Sequence, residues 1–290
     1  MSGGALVLLS VLAGVSVAYV VRWFQLERAR GGGLATRAPG ALDLATGFVT
    51  NFFDALGVGC FAPTTAVFKL RRRVADDQIP GTLNAGHAIP TVVEALIYIS
   101  VVSVDLATLA GMIAAAVLGA WLGAGVVARL PRRSIQAGMG VALAIAALLF
   151  LAKALNVDPG GGLAVGLSGA RLAFAVATSF VLGALMMVGV GLYAPCLILV
   201  SLLDMNPIVA FPIMAGSCAF LMPVGGVRFV ASGRYDASAA LGLTLGGVPG
   251  VLLAAFVVKT LSLNWLRWLV IAVALYTAAL MLRSALRERT

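Results

Sequence analysis

The feature that most constrains this chain is the recurrence, from one end to the other, of apolar runs of about twenty residues, the length of helix that crosses roughly 30 Å of hydrocarbon. Lipid offers the backbone no hydrogen-bond partners, so a spanning segment is either a helix or a strand of a closed barrel. The alternating ten-residue segments of a barrel (about ten residues each) do not occur in the sequence. Composition agrees, with 61% hydrophobic and only 11% charged residues, where a soluble domain carries about a quarter charged. The sequence therefore predicts an all-α polytopic membrane protein.

The formal charge of +9 does not point to nucleic acid, because the basic residues sit in short clusters between apolar runs, where they act as topology signals. These clusters are Arg22 to Arg37, Lys69-Leu70-Arg71-Arg72-Arg73, Arg129 to Arg133, and the tail Arg283 to Arg289. The first run, about Ala5 to Val21, has no Lys or Arg before it and no small-residue cleavage site after it, and Arg22 follows at once. It reads as a membrane helix with its N-terminus outside, not as a signal peptide. The three cysteines, Cys60, Cys196 and Cys218, cannot complete a disulfide framework and read as free thiols.

An internal repeat with an offset of 131 to 132 residues organises the rest. Gly57-Val58-Gly59-Cys60-Phe61-Ala62-Pro63 matches Gly189-Val190-Gly191-Leu192-Tyr193-Ala194-Pro195, and Pro80 falls on Pro212. Further on, Asp105 falls on Asp236, Gly111 on Gly242 and Gly119 on Gly250. The chain thus divides into residues 1–40, an N-terminal membrane helix and cytoplasmic linker; residues 41–155, the first repeat; and residues 156–290, the second repeat with a cytoplasmic tail. Each unit opens with a segment broken by Gly-x-Gly and Pro, roughly Leu44 to Leu70 and Leu172 to Leu203. Three spans follow in each: about Gly81–Val102, Leu106–Ala128 and Ser134–Leu151, then Ile208–Val230, Ala237–Val258 and Leu263–Leu282.

If the broken segment crosses as one helix, the first two basic clusters lie on opposite sides. If it is a re-entrant hairpin, all four lie inside, and the weakly charged loops around Asp105, Asp158, Asp204 and Lys259 lie outside. One hairpin plus three spans is an odd count, so the second unit is then inserted upside down. The expected architecture is two inverted repeats, each a re-entrant broken-helix hairpin plus three transmembrane helices, preceded by one N-terminal transmembrane helix. Hydropathy alone also allows a nine-span chain with parallel repeats; the charges favour the first. Inverted repeats with broken helices mark secondary transporters.

At a break inside the membrane, half-helix N-termini carry free N–H groups and partial positive charge. Gly57, Gly59 and Pro63, with Gly189, Gly191 and Pro195, would shape an anion site there, although glycines also serve as packing contacts. Asn84, His87, Thr91, Glu94 and Tyr98 follow at helical spacing and would line one face. Asn84 and His87 are candidate substrate ligands, with His87, Glu94 and Asp54 as proton carriers. The second unit offers Ser217 and Cys218 near the matching place, with neither His nor Glu. Asn51 and Asp54 precede the first break; Thr64 and Thr65 follow it and could bind substrate or cap the helix. Cys60 and Tyr193 complete the candidate substrate ligands.

The sequence has no HExxH, Walker, CxxC or nucleophile-elbow motif, so neither catalysis, nor a cofactor, nor a metal is expected, and energy would come from a gradient. The rival class is an intramembrane enzyme using His87 and Glu94 as acid and base. On its paired motifs, Gly57-Val58-Gly59 through Pro63 and Gly189-Val190-Gly191 through Pro195, the chain resembles the sulfite exporter TauE/SafE family over about residues 42 to 285. The family pattern continues with further glycines where Cys60-Phe61 and Leu192-Tyr193 stand here. The resemblance implies transport of sulfite, sulfonates or other small organic anions across the inner, or plasma, membrane; a non-sulfur carboxylate is the alternative solute. Expected partners are then the small anionic solute and the lipid bilayer; a homodimer is allowed, and nucleic acid is not expected. The topology is testable by labelling single cysteines from each side. Positions 30 and 72 should react from the cytoplasm together with the C-terminus, and Ser2, Asp158 and Asp204 from outside; labelling of 30 and 72 from opposite faces would exclude the hairpin.

Overall fold

The computed structural model describes residues 3–31, 38–75, 78–126, 162–187, 189 and 191–258, and near the C-terminus 275, 279, 282–283 and 286–287. The expected span Ser134–Leu151, the cluster Arg129 to Arg133, Asp158 and Lys259 lie outside these residues, as does most of Leu263–Leu282. The helices are α1 (Gly3–Ala29), α2 (Ala41–Ala55), α3 (Phe61–Arg71), α4 (Ile79–Gly86), α5 (Ala88–Val101) and α6 (Leu106–Val126), then α7 (Gly169–Met186), α8 (Tyr193–Leu202), α9 (Ala210–Ser232) and α10 (Ala237–Val258). Among the described residues there is no strand, only an isolated bridge between Ala164 and Met205. Four helical stretches, Gly3–Ala29, Gly169–Met186, Pro207–Ser232 and Ala237–Phe256, are long and apolar enough to cross a membrane. The protein is an all-helical membrane protein.

Two spans differ from the sequence expectation. Helix α1 does not stop at Val21 but runs on to Ala29, with Trp23 and Glu27 buried. Tyr235 donates to Glu27 at 2.7 Å and accepts from the Trp23 indole at 2.9 Å. Arg30 reaches Glu27 at 3.0 Å and the carbonyls of Val230 and Ala231. The basic cluster thus begins inside a helix that the α9–α10 corner extends. The expected span Gly81–Val102 is two helices, parted at His87. Pro90 has no N–H to give to the carbonyl four residues back, and the freed Gly86 oxygen takes the Thr244 hydroxyl of α10 instead, at 2.8 Å.

Polar contacts gather the helix ends into two groups. In one, Arg73, just past α3, pairs with Asp43 of α2 at 2.7 Å and with Asp236, which precedes α10, at 3.2 Å. The backbone N–H of Asp236 bonds to Thr82 of α4, and Arg30 ties the end of α1 to the end of α9. In the other, the Asp105 N–H bonds to the Val165 carbonyl and the Thr108 hydroxyl takes the Leu167 N–H, joining the start of α6 to the segment that leads into α7. That same segment bonds to the end of α8 through the Asn206 N–H and the Ala164 carbonyl. The outer ends of α2 and α3 therefore meet in the first group, and those of α7 and α8 in the second.

Repeat-related helices pack by exchange: α2 lies along α10, and α6 along α7. The contacts match residue for residue at the repeat offset. A Cβ on Gly250 would run into the Phe48 carbonyl oxygen, and one on Gly119 into that of Phe180. Gly247 lies against the Asn51 amide, and at the equivalent place Gly183 lies against the Ala116 carbonyl. Asp105 and Asp236 each cap the following helix, accepting the N–H of Thr108 and of Ala239 at 2.8 Å. Arg72 and Asp204, also equivalent, both close a helix in the left-handed conformation, with φ of 50° and 61°. Small residues that let backbones touch are the usual basis of helix association in lipid. Gly119→Val and Gly250→Val should each lower stability by about 1–3 kcal/mol through overpacking, whereas Gly14→Val, with nothing within 4 Å, should not. Thermal unfolding of the purified variants compares them, and a loss at only one of the two paired sites would refute their equivalence.

Candidate functional site

The site is built where the two broken segments meet. After α2, Gly57 takes φ 91°, its N–H bonds to the Asp54 carbonyl at 2.8 Å, and the Val58 N–H returns to Phe53 at 3.0 Å. This is a Schellman ending, which requires a left-handed residue and so selects glycine. Gly189 after α7 makes the same left-handed turn, with φ 93° and a bond to the Met186 carbonyl at 3.0 Å. Gly59, at φ 84°, turns the chain into α3. There the Cys60 carbonyl accepts from Thr64, as the Leu192 carbonyl accepts from Cys196 at the start of α8. Pro63 and Pro195 occupy the third position of their helices, where the missing N–H has no helical acceptor to lose.

The breaks face each other reciprocally. A Cβ on Gly59 would stand 3.5 Å from the Cβ of Tyr193, and one on Gly191 would stand 3.6 Å from the Cβ of Phe61. These are ordinary contact distances, so space does not forbid a side chain at either glycine. At Gly57, Gly59 and Gly189 it is the left-handed backbone that excludes one. The packing role belongs instead to glycines such as Gly119 and Gly250.

Seven polar residues of α2–α5 and the joint at His87 are fully buried: Asn51, Asp54, Thr64, Asn84, His87, Thr91 and Glu94. His87, at the α4–α5 joint, contacts Asn51 Oδ1 through Nδ1 and Thr64 Oγ1 through Nε2, both at 3.1 Å. The Asn51 amide nitrogen donates to the Gly47 carbonyl, so Asn51 Oδ1 can only accept and Nδ1 carries the hydrogen. Nε2 then accepts from the Thr64 hydroxyl, and the neutral imidazole is satisfied at both nitrogens. His87 thus ties both arms of the first hairpin together, and Thr64 is its partner, not a helix cap.

Asp54 Oδ1 accepts the backbone N–H of Cys60 at 2.8 Å. Glu94 Oε1 accepts the Tyr193 hydroxyl at 2.8 Å, linking α5 to the second break. The Tyr98 hydroxyl donates to the Ala55 carbonyl at the end of α2, at 2.6 Å. Asp54 Oδ2, Asn84 Oδ1, Thr91 Oγ1 and Glu94 Oε2 are buried with no hydrogen-bond partner. The stripe expected on one helical face is therefore spread over two helices, and its members reach different neighbours.

In the second unit Ser217 is buried in α9 beside Cys218, whose sulfur lies 3.6 Å from Met186 Sδ. Cys60 and Cys196 are buried free thiols next to their breaks. Thr244, the donor to the Gly86 carbonyl, has one sequence signal, Pro90, which implies a carbonyl in need of a donor. Among the described residues no group of three or more His, Cys, Asp or Glu is placed to hold a metal ion. No protein-family profile, curated protein or solved structure matches the chain. His87→Leu would strand Asn51 Oδ1 and should destabilise the protein by about 1–3 kcal/mol, while His87→Gln should retain much of the stability by keeping polar contacts. Equal thermal midpoints for wild type and His87→Leu would show that the two bonds hold nothing.

Proposed function

We propose that this chain is a secondary transporter that moves a small solute by alternating access around the two facing breaks. The observation that carries this is the reciprocal contact of Gly59 with Tyr193 and of Gly191 with Phe61, which brings two unwound backbone segments together beside the buried Phe61 and Tyr193. Unwound backbone at membrane depth is tolerated where protein covers it or where it lines a cavity, and transporters build their binding sites in that way.

On this proposal the architecture is two inverted repeats. Supporting it, the outer ends of the α2–α3 hairpin lie with Arg30 and Asp236, while those of the α7–α8 hairpin lie with Asp105. The first group of ends carries Arg28, Arg30, Arg71, Arg72, Arg73 and Arg234, which by the positive-inside rule makes it the cytoplasmic end. The N-terminus is then outside, the C-terminus cytoplasmic, and the membrane the inner, or plasma, membrane.

The solute is a small anion. The free N–H groups that open α3 and α8 suit a negative charge, and the resemblance to sulfite exporters favours sulfite or a sulfonate over a non-sulfur carboxylate. The rival reading as an intramembrane enzyme is weaker, because His87 bonds to Asn51 and Thr64 while Glu94 bonds to Tyr193, which leaves the two unconnected as an acid–base pair. Uptake of labelled sulfite, thiosulfate, sulfonates and carboxylates into vesicles containing the purified protein tests the proposal. At least one should be carried, and Gly59→Leu and Gly191→Leu should abolish uptake while still inserting. If no compound is carried, or if both variants transport normally, the breaks are not the transport site.

A further inference from the structure

We propose that Asp54 is a tethered anion that keeps the first break closed to solute until protons reach it and Glu94, and that the second break, whose own hairpin carries no carboxylate, is the one that receives the solute anion. This inference rests on the transporter reading and divides its labour between the two units.

At the repeat offset Asp54 stands where the second unit has Met186. Both residues end the first arm of a hairpin and both give their carbonyl to the left-handed glycine, so the backbone is the same and only the side chain differs. Asp54 reaches over the break and takes the Cys60 N–H at the start of α3. A carboxylate at the positive end of a helix occupies the place an incoming anion would take. Met186 offers only a sulfur, which lies against Cys218, so the start of α8 has no such occupant from its own hairpin.

The acidic half has no charged partner. From α5, Asp54 is faced by Glu94 and Tyr98; from the start of α3 by Cys60; from α8 by Tyr193; and from α9 by Cys218. His87 is satisfied by Asn51 and Thr64. Among the described residues no Lys or Arg pairs with Asp54 or Glu94. Their second oxygens are buried with no partner, as is the Thr91 hydroxyl one turn before Glu94. A proton from hydronium completes each oxygen: one O–H bond forms on the carboxylate as one breaks in the hydronium, a water is released, and one negative charge is cancelled. The cancelled charge is what lets a solute anion approach in surroundings that screen it poorly. Anion and proton then strengthen each other's binding, by linkage typically about 5- to 150-fold.

The test uses the full chain in lipid vesicles and has two arms. Infrared spectra from acid to alkaline pH should contain a protonated-carboxyl band in wild type that loses one component in Asp54→Asn, another in Glu94→Gln and none in His87→Gln. The second arm follows proton entry with a trapped dye while a sulfite gradient is imposed. Wild type should take up protons with sulfite, with sulfite affinity rising on acidification. Asp54→Asn, which keeps an oxygen for the Cys60 N–H, should bind sulfite with a shallower pH dependence than wild type and take up fewer protons per sulfite, Glu94 being left to titrate alone. Carboxyl bands unchanged in both Asp54→Asn and Glu94→Gln, or no band in wild type, would overturn the inference, as would equal sulfite-driven proton entry in wild type and Asp54→Asn. A wild type that moves no sulfite would count against the solute assigned above, and the infrared arm would still decide the role of the two carboxyl groups.

Discussion

One constraint runs through this structure: peptide groups taken out of a helix and buried away from water must be covered by other parts of the protein. The chain unwinds twice, at Gly57–Gly59 and again from Gly189 to Gly191, and each break is covered by the first residue of the helix beyond the other. Neither can exist alone. That requirement explains why the motif occurs twice at one offset and why the contacts between the copies are reciprocal down to the Cβ positions of Phe61 and Tyr193.

The exchange of helices follows from it. For the breaks to meet, α2 of the first unit lies along α10 of the second, and α7 of the second along α6 of the first. Lipid gives no hydrophobic reward for joining apolar helices, so these pairs depend on backbone approach at Gly119, Gly183, Gly247 and Gly250 and on dispersion contacts. Polar bonds supply the register. Arg73, Asp43 and Asp236 fix one end of the α2–α10 pair. Asp105 and Thr108, bonded to the backbone at Val165 and Leu167, fix the start of α6 on the segment entering α7. Between these ends His87 joins Asn51 to Thr64, which holds α2 and α3 at a set distance across the break.

How much of this is legible in the sequence depends on whether a feature is local. The glycines and prolines of both breaks are visible because a Schellman ending and a third-position proline need particular residues at particular places, and the repeat shows them twice. Helix ends set by local chemistry, such as the starts at Leu106 and Ala237 behind Asp105 and Asp236, also fall where the sequence suggests. The extension of α1 does not, because Trp23, Glu27 and Arg30 are held by residues some two hundred positions away that no local pattern reveals. The joint at His87 is an intermediate case. Pro90 is plain to see, yet whether it bends the helix depends on Thr244 being there to take the freed carbonyl. The polar stripe from Asn84 to Tyr98 was legible as a group, but its partners come from α2, α3 and α8, so its division of roles was not.

The symmetry of the backbone makes the asymmetry of the side chains informative. Two units with the same fold and the same chemistry would offer a solute two equivalent half-sites. Here the backbone pairs match closely, while Asp54 faces Met186 across the repeat, and the second unit has no counterpart to His87 or Glu94. A buried carboxylate without a cation is costly in a membrane protein, by about 3 kcal/mol at the centre of a helix on insertion scales. Two of them, fully buried and each with an unpartnered oxygen, are too expensive to be explained by packing that Met186 achieves equally well at the equivalent place. Their cost is offset only in states where a positive charge joins them. On the proposed transport, carrying this cost in one half of an otherwise symmetric scaffold separates the loaded and unloaded states in energy by the arrival of that charge, and that separation would link the movement of one solute to the gradient of another.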